Sequence, residues 1–233
     1  MKTLACIPVH GRLPLVTLTI GVTYYPREVE TISATMQTWS GADFIIYPDG
    51  CRFDFETRHP VRLLGNRAGC FRHYYRVLAD LYATTDTEYI GVIPDDVVLS
   101  DDFAQKCMEG ANGSGYAAGY TPTGMSKIST LVRLGNGWIP VKGGWGKSYG
   151  GCYVYPREVV KRILSHPYII NHRDNYAPNK QIDAAIPELM HRLGLRQVMH
   201  VPSLSDHIGA TSTIGHKTTI MEKGYLFTTF APA

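Results

Sequence analysis

Two adjacent carboxylates, Asp95 and Asp96, follow the apolar run 88–93 (EYIGVI) and precede Val97-Val98. Acids at the end of a buried strand suit Mg²⁺ or Mn²⁺, hard cations that take oxygen ligands and often share a phosphate. The same pair can instead cap a following helix, as can Ser100, Asp101 and Asp102 just downstream. Arg67, Arg72 and Arg76 stand upstream, the last two at i, i+4 spacing on one helix face. There they can meet a diphosphate or simply face solvent. Trp145, between Gly144 and Gly146, can stack on a sugar or base, or anchor its loop to the core. His216 and Lys217, in a polar tail, are placed to neutralise phosphate.

These residues need a frame. Residues 4–9 (LACIPV), 43–47 (DFIIY, closed by the turn signal Pro48-Asp49-Gly50) and 88–93 read as buried strands. Residues 70–82 read as a helix with Tyr74, Val77, Leu78 and Leu81 on one face. Leu13, Val16, Ile20 and Tyr24 recur at helical spacing, although the β-branched residues among them oppose a helix. Glycine-rich loops are expected at 111–124 and 142–151, and helices at 156–165, opening at Pro156, and around 181–193. Pro187 opens a new helix or kinks the one before it. Residues 200–204 (HVPSL) read as a last strand. Alternating strands and helices predict an α/β fold with a mostly parallel central sheet flanked by helices. In such sheets ligands sit beyond the carboxyl ends of the strands. His10, Arg12, Asp49, Asp95 and Asp96 therefore converge on one edge.

The segment 90–103 (IGVIPDDVVLSDDF) resembles the metal-binding segment of GT-A glycosyltransferases, and the chain as a whole resembles small GT2-like members, including phage-type enzymes. The family's first acid is replaced by Pro94, so the resemblance reaches only Asp95, on the nucleotide side, and Asp96, the expected metal ligand. It implies a Rossmann-like GT-A fold in one domain, 1–233, with a nucleotide-binding half, 1–110, and an acceptor half with a metal and phosphate tail, 111–233. By the same resemblance 6–12 (CIPVHGR), with Pro8, His10 and Arg12, holds the nucleotide base, and Asp49 accepts a hydrogen bond from uracil. Arg67 or Arg72 reaches the diphosphate, the loop of Trp145 meets donor and acceptor, and 201–217 brings His207 to the metal and Lys217 to phosphate. Asp183 matches the acid of the acceptor helix, the general base of an inverting transfer. Its competing role is a helix N-terminal acid stabilised by the macrodipole.

The resemblance implies transfer of a sugar from a nucleotide-sugar, a UDP-sugar foremost, to a hydroxyl acceptor with Mn²⁺ or Mg²⁺. A hydroxymethylated DNA base leads among single acceptors, because Arg and Lys flank aromatics at 72–76 (RHYYR) and 142–147 (KGGWGK) and the net charge is +3. One alternative is a sugar-nucleotide or nucleotidyl transferase, disfavoured by the single glycine in 10–13. The other is a non-catalytic nucleotide- or carbohydrate-binding module, which Pro94 keeps open. No phosphate-binding G-x-x-x-x-G-K-[ST] motif occurs. No run approaches the roughly 20 apolar residues of a membrane span, and polar and proline residues interrupt the first twenty as no secretory leader would. The expected location is cytoplasmic. Five scattered cysteines without zinc-like spacing fit free structural thiols in a reducing compartment.

Overall fold

The computed structural model describes residues 17–26, 29–121, 137–140, 151–174 and 182–208. Its first strand, β1 (Leu18–Tyr24), is buried at every position. The helical spacing of Leu13 to Tyr24 is overridden over this stretch. Thr19, Ile20, Val22 and Thr23 favour extended backbone, and Leu18, Ile20, Val22 and Tyr24 alternate with Thr19, Gly21 and Thr23, which sends the apolar side chains into one core. The expected strand at 4–9 lies outside the described residues.

After α1 (Val29–Gln37) come β2 (Asp43–Pro48), α2 (Cys70–Thr84), β3 (Tyr89–Pro94) and the short β4 (Val97–Leu99). Next are α3 (Phe103–Ser114), β5 (Gly115–Ala118), β6 (Gly137–Pro140) and β7 (Tyr153–Pro156). Helices α4 (Arg157–Ser165), α5 (Pro167–Asp174) and α6 (Ile182–Arg192) lead to β8 (Arg196–Val201) and β9 (Ser205–His207). The main sheet runs β2-β1-β3-β7-β5-β8-β6. Neighbours β2, β1 and β3 are parallel, as are β5 and β8, while β7 and β6 run antiparallel to theirs. The outer edge of β2 is met by 60–62, through the parallel bridge of Ile46 with Val61. The molecule is thus an α/β protein with a parallel-rich mixed sheet.

Two cores flank this sheet. On one face Ile45, Tyr47, Ile90, Val92 and Tyr155 meet the apolar sides of α2, α4, α5 and α6. On the other, Phe44, Ile46, Ile20, Val22 and Val154 meet Ile32 of α1 and Phe103, Ala104 and Cys107 of α3. Consecutive residues of β2 enter opposite cores, as the two-residue repeat of a strand requires. The expected face of α2 is the buried one, with Phe71 and His73 added. Gly21 lets that helix approach β1: a Cβ there would stand 2.4 Å from Val77 Cγ1.

Several boundaries differ from those read in the sequence. Residues 111–118 finish α3 and form β5 instead of a glycine-rich loop; Gly115, at φ 94°, is the left-handed C-cap between them. Pro156 ends β7 and caps α4 from outside instead of opening it, and Pro187 lies within α6. Residues 200–204 straddle the end of β8, a cis Val201–Pro202 bond and the turn into β9. Cys51, Cys70, Cys107 and Cys152 are free thiols. Among the described residues no helix is long and apolar enough to cross a membrane.

Candidate functional site

From β1 the chain crosses to β2 on one side and returns to β3 on the other, which opens a crevice at the carboxyl ends of β1 and β3. Asp95 and Asp96 form the turn between β3 and β4 there, both almost wholly buried. Neither caps a helix, because the N-cap of the helix that follows is Asp102, whose carboxylate accepts from the Ser100 hydroxyl at 2.8 Å.

Asp95 faces inward. Its Oδ2 accepts the backbone N–H of Tyr25 at 2.9 Å, and its carbonyl accepts the hydroxyl of Thr35 at 3.1 Å. One carboxylate thereby fixes the end of β1 against the turn after β3. Tyr25, 9% exposed, lies beside Asp95, Asp49 and Cys70, and burial foremost, with these neighbours, pushes its hydroxyl far above the usual phenol value. It stays neutral at any physiological pH.

Asp96 meets a residue more than a hundred positions away. Strand β9 pairs antiparallel with β4, setting Val97 opposite His207, and the Ile208 N–H donates to the Asp96 carbonyl at 2.9 Å. His207 Nδ1 stands 3.4 Å from Asp96 Oδ1, with side chains 9% and 1% exposed. Tyr120 packs edge-on against the imidazole, ring centroids 4.9 Å apart. His207 Nδ1 is buried and makes no hydrogen bond to a described residue, an arrangement that costs free energy unless another partner completes it. Two ligand atoms each about 2.1 Å from one ion stand roughly 3.0–3.4 Å apart for angles of about 90–110°. The pair fits two neighbouring positions in the coordination of one Mn²⁺ or Mg²⁺. Among the described residues no group of three or more His, Cys, Asp or Glu gathers for a metal, so the remaining ligands would be substrate oxygens or water, as is usual for Mg²⁺.

A polar scaffold holds β9 in place. The Thr121 N–H donates to Ser203 Oγ at 3.0 Å, and the Thr121 hydroxyl to the His200 carbonyl at 2.9 Å. Ser203 Oγ donates to the Ser205 carbonyl at 2.8 Å, and the Leu204 N–H to the Gly119 carbonyl at 3.0 Å.

At the end of β2, Asp49 also turns into the chain. Its two oxygens accept the N–H groups of Ala68, at 2.7 Å, and Gly69, at 2.9 Å. His73 lies between two acceptors, with Nε2 2.7 Å from the Tyr47 carbonyl and Nδ1 3.6 Å from Asp49. Arg67 and Arg72 are exposed at the start of α2. Arg76 instead ties 64–66 to the helix, donating to the Asn66 carbonyl at 3.0 Å. The aromatics between Arg72 and Arg76 are no stacking platform: Tyr74 is buried with its hydroxyl against that of Tyr155, and the Tyr75 hydroxyl donates to the Leu164 carbonyl.

Of the residues expected at the site, Asp49, Arg67, Arg72, Asp95, Asp96 and His207 lie along this edge or at its rim. Asp183 falls in the first turn of α6, with its side chain outside what is described; Pro8, His10, Arg12, Trp145 and Lys217 lie outside the described residues. Sequence reasoning missed Tyr25, His73 and the serine-threonine scaffold. The signal for Tyr25 was present, since a run of β-branched residues ends there at Pro26. The site therefore defines an α/β protein whose acidic turn, at a switch point of strand order, is joined by a distant histidine. No protein-family model matches the chain, and no curated protein matches it in sequence.

Proposed function

We propose that the chain is a metal-dependent glycosyltransferase of GT-A type, moving a sugar from a nucleotide-sugar, a UDP-sugar foremost, to a hydroxyl acceptor. The observation that carries this reading is the β4–β9 ladder, which sets the buried His207 Nδ1, without a hydrogen bond among the described residues, 3.4 Å from Asp96 at the carboxyl edge of the sheet. Asp96 and His207 are the residues that would hold Mn²⁺ or Mg²⁺. Bound there, the ion would supply positive charge to a departing diphosphate. Mixed carboxylate and imidazole ligation suits Mn²⁺ better than Ca²⁺.

The chain's own groups divide the remaining tasks. Asp95 keeps the ends of β1 and β3 at a fixed separation through Tyr25, so the crevice floor is set before any ligand arrives. Arg67 and Arg72, exposed at the N-terminal end of α2, supply cations on the same side as that helix's positive pole. Asp183 takes the acceptor proton as the hydroxyl attacks, the role of a carboxylate general base.

Thermal unfolding with UDP, GDP, ADP and CDP, with and without Mn²⁺, tests the reading in wild type and Asp96→Asn. A diphosphate at about 100 times its dissociation constant stabilises by about 2.7 kcal/mol, a rise of roughly 5–10 °C for a chain of this size. The expected result is a shift that needs both nucleotide and metal and disappears in Asp96→Asn. No shift in wild type with any nucleotide or metal would refute the donor site.

A further inference from the structure

We propose that Asp49 is a positioning residue: it fixes segment 65–69 and the start of α2 for the donor's diphosphate, and does not read the nucleobase. This rests on the nucleotide-sugar reading above. Three observations on different residues support it. Both carboxylate oxygens already accept backbone N–H groups, of Ala68 and Gly69, and the side chain is 1% exposed, which leaves no face for a base. Behind it the buried His73, held by Nε2 at 2.7 Å from the Tyr47 carbonyl, packs its other ring edge against the carboxylate, with Nδ1 3.6 Å from Asp49, and closes that side of the turn. Beside it Gly50, at φ 65°, brings the turn so close to the segment that a Cβ would stand 2.1 Å from the Arg67 nitrogen. The turn after β2 is thus a mould for 67–69, and the shape of that segment sets where Arg67 and Arg72 leave the surface.

A residue contacting uracil and one shaping the phosphate side differ in what their loss removes. Inorganic pyrophosphate carries the charge of the diphosphate and no base. The test is isothermal titration of the full chain with UDP and with pyrophosphate, each with Mn²⁺, for wild type, Asp49→Asn and Gly50→Ala. Asp49→Asn replaces one acceptor with a donor facing a backbone N–H. It should weaken both ligands by the same factor, roughly tenfold for one such lost bond. Gly50→Ala, which displaces the Arg67 backbone and leaves the carboxylate intact, should weaken both ligands alike. A residue that only stabilised the fold would lower the melting temperature and leave both dissociation constants unchanged.

Weaker UDP with unchanged pyrophosphate would overturn the proposal in favour of base reading, and no change in either would overturn it in favour of a purely structural role. In both cases wild-type binding would leave the nucleotide reading standing. Wild type binding neither ligand would remove that reading and this inference together. If neither variant folds, amide exchange in the wild type decides. Pyrophosphate with Mn²⁺ should slow exchange across 65–69 as much as UDP with Mn²⁺ does; slowing by UDP alone, or by neither although both bind, would overturn the proposal.

Discussion

Three carboxylates at the sheet edge behave differently because their oxygens meet different partners. Asp49 and Asp95 accept backbone N–H groups from segments far away in sequence; Asp96 meets an imidazole. The sequence placed all three at strand ends, with Asp49 expected at uracil, Asp95 at the nucleotide and Asp96 at the metal, but the inward bonds of Asp49 and Asp95 were not legible, because their donors are backbone groups that carry no residue-type signal. Removing the Asp95 carboxylate tests its role as a latch. Asp95→Ala leaves the buried Tyr25 N–H without its acceptor, costing about 1–3 kcal/mol. Asp95→Asn keeps one oxygen in place and should cost less. Urea unfolding of the two variants measures the difference; equal stabilities would show that the N–H bond contributes nothing beyond the rest of the side chain.

Among the elements, the most legible are those whose pattern and packing agree. Helix α2 presents Tyr74, Val77, Leu78 and Leu81 to the core as the spacing predicts, and the apolar runs of β2 and β3 end at the expected acids. Strand β1 keeps its alternation, with Leu18, Ile20, Val22 and Tyr24 entering one core; it was obscured because Ile20 and Tyr24 also fall at helical spacing from Leu13 and Val16 upstream. The short β9 was invisible for another reason: Ser205-Asp206-His207 has no strand composition, and its conformation follows from pairing with β4 and from the hydroxyls of Ser203 and Thr121. Two substitutions probe these contacts. In Gly21→Ala the new methyl would fall 2.4 Å from Val77 Cγ1 and 2.9 Å from Leu81 Cδ1, forcing α2 off β1 at a cost of about 1–3 kcal/mol, readable in the urea midpoint. Ser203→Ala strips the acceptor from the buried Thr121 N–H and should destabilise by about 1–3 kcal/mol. It should also speed amide exchange at Ile208, whose bond to the Asp96 carbonyl closes the β4–β9 ladder. Unchanged exchange there would separate the scaffold from the β4–β9 pairing.

For the whole molecule, burial of histidine imposes a pH dependence that no single motif announces. His73 and His200 are buried and His59 is half-buried, and in each the imidazole is pushed below its ordinary value of 6.5, chiefly by loss of water around the charged form. For His73 the Tyr47 carbonyl and Asp49 pull the other way, and for His200 the Pro202 carbonyl does, but burial outweighs them. A group whose folded value lies below its unfolded value binds more protons when unfolded, so stability rises with pH across that interval. The contribution is complete above about pH 6.5 and is lost as pH falls through the lower, folded values. Wild-type urea midpoints should therefore coincide at pH 7 and 8 and decline from about pH 6.5 towards 5, above the range where ordinary carboxylates protonate. A midpoint that rises on acidification over that window would mean that the acceptors around His73 and His200 hold them charged in the folded state.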